Sequence, residues 1–134
     1  MKIVYSDKKT GLTGQAEVSS DMVAALLNKR IGDEIDGAVI GLQGYVLKIT
    51  GGSDKSGFPM ENSIQGTAKR QVLKRIALSG RNKGEFRRLT VSGSTISEST
   101  EQINTVITKY GDKSISEIIP QKEKKAEEKA EAQK

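Results

Sequence analysis

Apolar positions in this chain fall mostly in short alternating runs separated by glycine-bearing polar stretches. Residues 2–6, KIVYS, place β-branched and aromatic side chains ahead of the turn-forming DKKTG and read as a strand, with 14–19, GQAEVS, as a hairpin partner. Residues 20–31, SDMVAALLNKRI, change period. Val23, Leu26, Leu27 and Ile31 recur at helical spacing, Ser19 or Ser20 can cap the start, and Gly32 can end it. Residues 34–49 return to strand character: EIDGAVI, a break at GLQG, then YVLKI, with Tyr45, Leu47 and Ile49 alternating. Residues 70–78, RQVLKRIAL, fit either a helix or a strand, because Val72, Leu73, Ile76 and Ala77 suit the longer period as well. SGRNKG is a turn, and EFRRLTVSG and QINTVITKYG read as strands. The segment DKSISEIIP closes the domain at Pro120.

These elements predict a mainly β fold, a barrel-like or strongly curved sheet with one clear α-helix near residues 20–31 and a polar C-terminal tail. The expected division is a folded domain over residues 1–120 and a tail over 121–134. That tail, QKEKKAEEKAEAQK, is built from Lys, Glu and Ala with no apolar stripe, and is expected to be disordered or transiently helical.

Composition narrows the chemistry. Among 134 residues there is no Cys and no His, which removes disulfides, thiolate and imidazole metal sites, and nucleophile–histidine catalysis. No apolar run approaches the length of a membrane span, and the N-terminus has no signal-peptide pattern, so the chain reads as soluble and intracellular. The formal net charge of +5 is unevenly spread: residues 45–88 carry ten Lys and Arg against three Asp and Glu, while the rest of the chain is nearly balanced. Lys69, Arg70, Lys74, Arg75, Arg81, Lys83, Arg87 and Arg88 crowd into twenty residues with Glu85 as the lone acid. Such a cluster attracts a polyanion, and arginine's fork suits phosphate.

Several motifs fail on inspection. Gly52 and Gly57 have the Walker spacing, but Phe58 stands where that motif needs lysine. Asp33, Glu34 and Asp36 lie beside Gly32 at a helix end and lack EF-hand spacing, so a solvated acidic turn fits better than a metal site. The lack of His and Cys makes catalysis less expected, but a carboxylate, Lys or Tyr enzyme stays possible. A carboxylate enzyme acting on nucleic acid through these three acids is the remote alternative. A protein-interaction adaptor using the tail and the 20–31 helix is the nearer one.

The stretch GGSDKSGFPM, residues 51–60, closely resembles the signature of the small-subunit ribosomal protein six-e family, Gly-Gly-x-Asp-Lys-x-Gly-Phe-Pro-Met. Gly51, Gly52, Asp54, Lys55, Gly57, Phe58, Pro59 and Met60 match every fixed position. GYVLKIT before it, MKIVYSDKKTG at the start and RRLTVSGSTIS later also resemble family segments, so the likeness spans residues 1 to about 119. The resemblance implies a structural, non-catalytic constituent of the small ribosomal subunit that binds ribosomal RNA, supports assembly and translation, and sits in the cytoplasm beside neighbouring ribosomal proteins. The resemblance also implies no catalysis and no cofactor; the protein would have no membrane or small-molecule partner and be monomeric when free. There are departures. ENSIQG follows Met60 where the family has a basic residue and Gly-Val, the basic loop is shortened to SGRNKGEFRR, TVSG replaces Thr-Val-Arg-Gly, and the long basic extension with regulatory serines is missing.

Lys55, Lys69, Arg70, Lys74, Arg75, Arg81, Lys83, Arg87 and Arg88 are therefore the expected phosphate contacts, because RNA is held mostly through its backbone and shape. In the signature loop Gly51, Gly52 and Gly57 are expected to permit tight turns and close approach to a partner, and Pro59 to stiffen the exit. Two roles stay open for Phe58: stacking on a base, or plugging the end of the expected barrel together with Met60. Asp54 can close the loop or accept from a ribose hydroxyl.

Overall fold

The computed structural model describes residues 1–111 and residue 115. The elements run β1 (Lys2–Ser6), β2 (Thr13–Glu17), α1 (Ser20–Leu26), β3 (Glu34–Asp36), a 3-10 turn (Gly37–Ile40), β4 (Val46–Asp54), β5 (Arg70–Arg75), β6 (Phe86–Val91) and β7 (Thr100–Lys109). The expected tail, and the segment leading to Pro120, lie outside the described residues apart from Ile115.

Five strands form one sheet in the order β2-β1-β7-β4-β3, while β5 and β6 pair in a separate two-stranded ribbon. The mainly β reading holds, but the barrel-like, strongly curved closure does not. β2 and β3 are open edges of the larger sheet. The ribbon cannot complete a wall either, because charged side chains occupy both of its faces and leave too little apolar surface to bury.

One face of the sheet carries the core. Ile3 and Tyr5 of β1, Leu47 and Ile49 of β4, and Ile103 and Ile107 of β7 are buried at alternate positions. Leu26, Ile35, Leu42, Tyr45, Met60, Ile96 and Ile115 fill in around them. Each such side chain contributes about 1.5–3 kcal/mol on burial.

Two elements ahead of β4 differ from the sequence expectation. Helix α1 stops at Leu26, not Ile31, because Asn28 takes a left-handed conformation (φ 67°). The chain beyond it is drawn out beside residues 94–96: Asn28 N–H donates to Ile96 C=O, Ile96 N–H to Lys29 C=O, and Ile31 N–H to Ser94 C=O. Pairing across the molecule outweighs helical periodicity here. The second difference concerns EIDGAVI, which is a strand only through Asp36. The Asp36 carboxylate then accepts from Ala38 N–H at 3.0 Å and turns the chain into the 3-10 segment.

Candidate nucleic-acid interface

The first four residues of the signature stretch are strand. β4 runs through Gly51 and Gly52 to Asp54, so these glycines do not form the expected turns. Gly52 is instead a site of close approach, where an added Cβ would collide with the Gln102 carbonyl of β7 and press on Met60 Sδ. The turn itself spans residues 55–58. There Gly57 has φ +84°, a conformation costly for any side chain larger than hydrogen.

Asp54 organises that turn. Its side chain is buried, with 3% exposure. Oδ1 accepts from Phe58 N–H at 2.9 Å, Asp54 N–H donates to Phe58 C=O at 3.0 Å, and Oδ2 lies 3.0 Å from Lys69 Nζ. Burial pushes this carboxyl upward. The Lys69 ammonium beside it, with the Phe58 amide, outweighs burial and holds it below its ordinary value. Lys69 Nζ also donates to Ser56 Oγ at 2.9 Å and sits 5.1 Å over the Phe58 ring. Phe58 is half-buried within this knot, and Met60 is packed against the core. Phe58 is outside the core cluster that Met60 joins; its ring is held within the loop, with Lys69 over it. Asp54 closes the loop.

Pro59 C=O accepts from Ser92 N–H, and Glu61 N–H donates to Ser92 C=O, which fastens the loop's exit to the end of β6. The ribbon begins and ends there. Its register sets Val72 opposite Leu89, Leu73 opposite Arg88, Lys74 opposite Arg87 and Arg75 opposite Phe86. Opposed residues share a face and neighbours alternate. One face therefore holds Arg70, Val72, Lys74, Arg87, Leu89 and buried Val91. The other holds Gln71, Leu73, Arg75, Phe86, Arg88 and Thr90.

The nine expected cations divide accordingly. Lys69 is paired with Asp54, Lys74 with Glu61, and Arg87 with Glu85 at 2.9 Å. Lys55, Arg70, Arg75, Arg81, Lys83 and Arg88 are exposed and have no carboxylate partner among the described residues. Arg81 and Lys83 lie in the ribbon's terminal turn, and Lys55 in the signature loop. Arg75 lies over Phe86, its guanidinium carbon 5.4 Å from the ring centroid. Asp33 and Asp36 are spent on local backbone amides, and no group of three or more metal-ligating side chains converges among the described residues.

The family model for ribosomal protein S6e matches residues 1–120. This chain belongs to the ribosomal protein S6e family. Among curated relatives, the small ribosomal subunit protein eS6 of Methanothermobacter thermautotrophicus is 44% identical over 120 residues, covering 88% of this chain and 94% of the relative. The eS6 protein of Methanocaldococcus jannaschii is 44% identical over 120 residues, 88% of this chain and 89% of the relative. That of Nanoarchaeum equitans is 46% identical over 118 residues, covering 88% of each chain. Within this S6e chain, the signature residues build and anchor the ribbon's base, while the unpaired cations lie mostly on the ribbon itself.

Sequence reasoning missed the acids that neutralise three of the nine cations. Glu85 was readable, since it shares a strand face with Arg87 two residues on. Glu61 was not, because only the loop's return brings it to Lys74. The exposed apolar residues of the ribbon, Leu73 (66% exposed), Leu78 (80%) and Phe86 (53%), were also missed.

Proposed function

We propose that this chain is a structural, non-catalytic constituent of the small ribosomal subunit that holds segments of ribosomal RNA in the cytoplasmic ribosome. Family membership supports the ribosomal role. The observation that carries RNA binding is the ribbon, which is exposed on both faces over its outer part and bears unpaired cations on each face and at its tip. Lys55, Arg70, Arg75, Arg81, Lys83 and Arg88 neutralise phosphates directly. Lys69 ties the base of the ribbon to the signature loop, Lys74 reaches back to Glu61 and Arg87 pairs with Glu85; all three contribute less, because a paired lysine or arginine must first leave its carboxylate.

The test is the salt dependence of affinity for small-subunit RNA. Six neutralised phosphates give a slope of log K against log salt of roughly −4 to −5. An affinity indifferent to salt contradicts the reading.

A further inference from the structure

The chain has two phenylalanines, and the structure gives them opposite situations. Phe58 is half-buried, both of its backbone polar groups are bonded to Asp54, and Lys69 sits over its ring. Phe86 is 53% exposed, at the outer end of the ribbon's strand pairing, with Arg75 laid over its ring and Leu73 and Arg88 on the same face. An aromatic ring left open to water without covering a core has no packing role to explain its place.

Charge says what covers it. Among the described residues, the ribbon's two carboxylate contacts, from Glu61 and Glu85, go to Lys74 and Arg87 on the opposite face. Arg75 and Arg88 beside Phe86 have no acidic partner among the described residues, and Arg81 and Lys83 follow at the tip. A surface with an open ring, an apolar neighbour and unneutralised guanidinium groups is complementary to a nucleotide. The base has a π-face for the ring and the phosphate has charge for the arginines.

We propose that the Phe86 face is a base-stacking site, in which an unpaired RNA base lies on the Phe86 ring while Arg75 and Arg88 neutralise the adjoining phosphates. This rests on the RNA-binding reading above and adds that the ribbon discriminates unpaired from paired RNA. A base within a duplex is already stacked on both sides and offers its π-face to nothing.

The experiment measures binding of the full chain to a short RNA duplex and to the same duplex carrying one bulged fluorescent purine, across a salt series. The bulged RNA is expected to bind tighter by roughly 5- to 150-fold, with a fluorescence change on binding. Phe86→Leu, which keeps an apolar side chain at an exposed position, is expected to melt like the wild type and bind both RNAs alike. Phe86→Tyr retains the preference. Arg75→Ala combined with Arg88→Ala weakens binding to both RNAs and flattens the salt slope.

Equal wild-type affinity for the two RNAs, or a preference kept by Phe86→Leu, overturns the stacking site and leaves RNA binding standing. Absence of salt-sensitive binding to either RNA removes both. A third outcome also overturns the proposal: Phe86→Leu binds both RNAs as the wild type does yet fails to enter the subunit. The ring's occupant is then a neighbouring protein.

Discussion

Asp7 shows how much one side chain holds. It is buried in the turn after β1 and accepts from Tyr110 Oη at 2.6 Å, Thr10 Oγ1 at 2.7 Å and Lys9 N–H at 2.9 Å, while Lys9 Nζ lies 4.3 Å over the Tyr110 ring. The Tyr110 hydroxyl first, then Thr10 and the Lys9 amide, lower its pKa from 3.8 to about 2. A carboxylate depressed in the folded state adds stability that is full above its ordinary value and lost as pH falls through the folded one. Denaturation midpoints should therefore drop between about pH 4 and pH 2, and Asp7→Asn should lower the neutral-pH midpoint while flattening that acid limb. An unchanged acid limb in Asp7→Asn would assign the effect elsewhere. At the signature stretch, Gly52→Ala drives a methyl into the Gln102 carbonyl and should cost about 1–3 kcal/mol by chemical denaturation. Met60→Ala should cost about 2–5 kcal/mol with no loss of RNA affinity in the folded protein, since Met60 is buried in the core cluster.

At the scale of elements, the division of the ribbon into two faces makes an ordering of charge changes. Arg75→Ala and Arg88→Ala should each weaken RNA binding and reduce the salt slope by about one. Lys74→Ala and Arg87→Ala should move the slope less, because Glu61 and Glu85 already hold those side chains. Slopes measured for the four variants check this, and equal losses across them would deny the two-faced reading. Strands with a buried face were legible in the sequence because alternation is all they require: Ile3 and Tyr5, Leu47 and Ile49, Ile103 and Ile107 mark them. The helix end was not, since Asn28 and the chain to Ile31 are claimed by partners near residue 95. Nor was the strand through Gly51 and Gly52. Glycine there serves close packing against β7, and composition alone cannot separate that from a turn. Among the expected RNA contacts, charge type and location were readable. Which cations are free was not, because pairing such as Lys69 with Asp54 is made by the fold.

At the scale of the molecule, an open five-stranded sheet with one apolar face supports a projecting basic ribbon whose base is tied to it by the signature loop. A barrel would have drawn the ribbon into its wall; the open arrangement leaves both ribbon faces available to RNA. The loop's internal bonds, Asp54 to Phe58 and Lys69 to Asp54, fix the ribbon's root, which explains why a stretch so rich in glycine also carries two large apolar residues. The central claim is that the chain is held in the small ribosomal subunit by this ribbon. The most direct measurement is sucrose-gradient sedimentation of cell lysate containing the tagged wild type or the combined Arg75→Ala, Arg81→Ala, Lys83→Ala and Arg88→Ala variant, at moderate and high salt. The wild type should travel with the small subunit at moderate salt and leave it only at high salt, and the variant should stay near the top of the gradient at both. A wild type found only in the free fraction, or a variant that sediments with the subunit as the wild type does, would contradict the account.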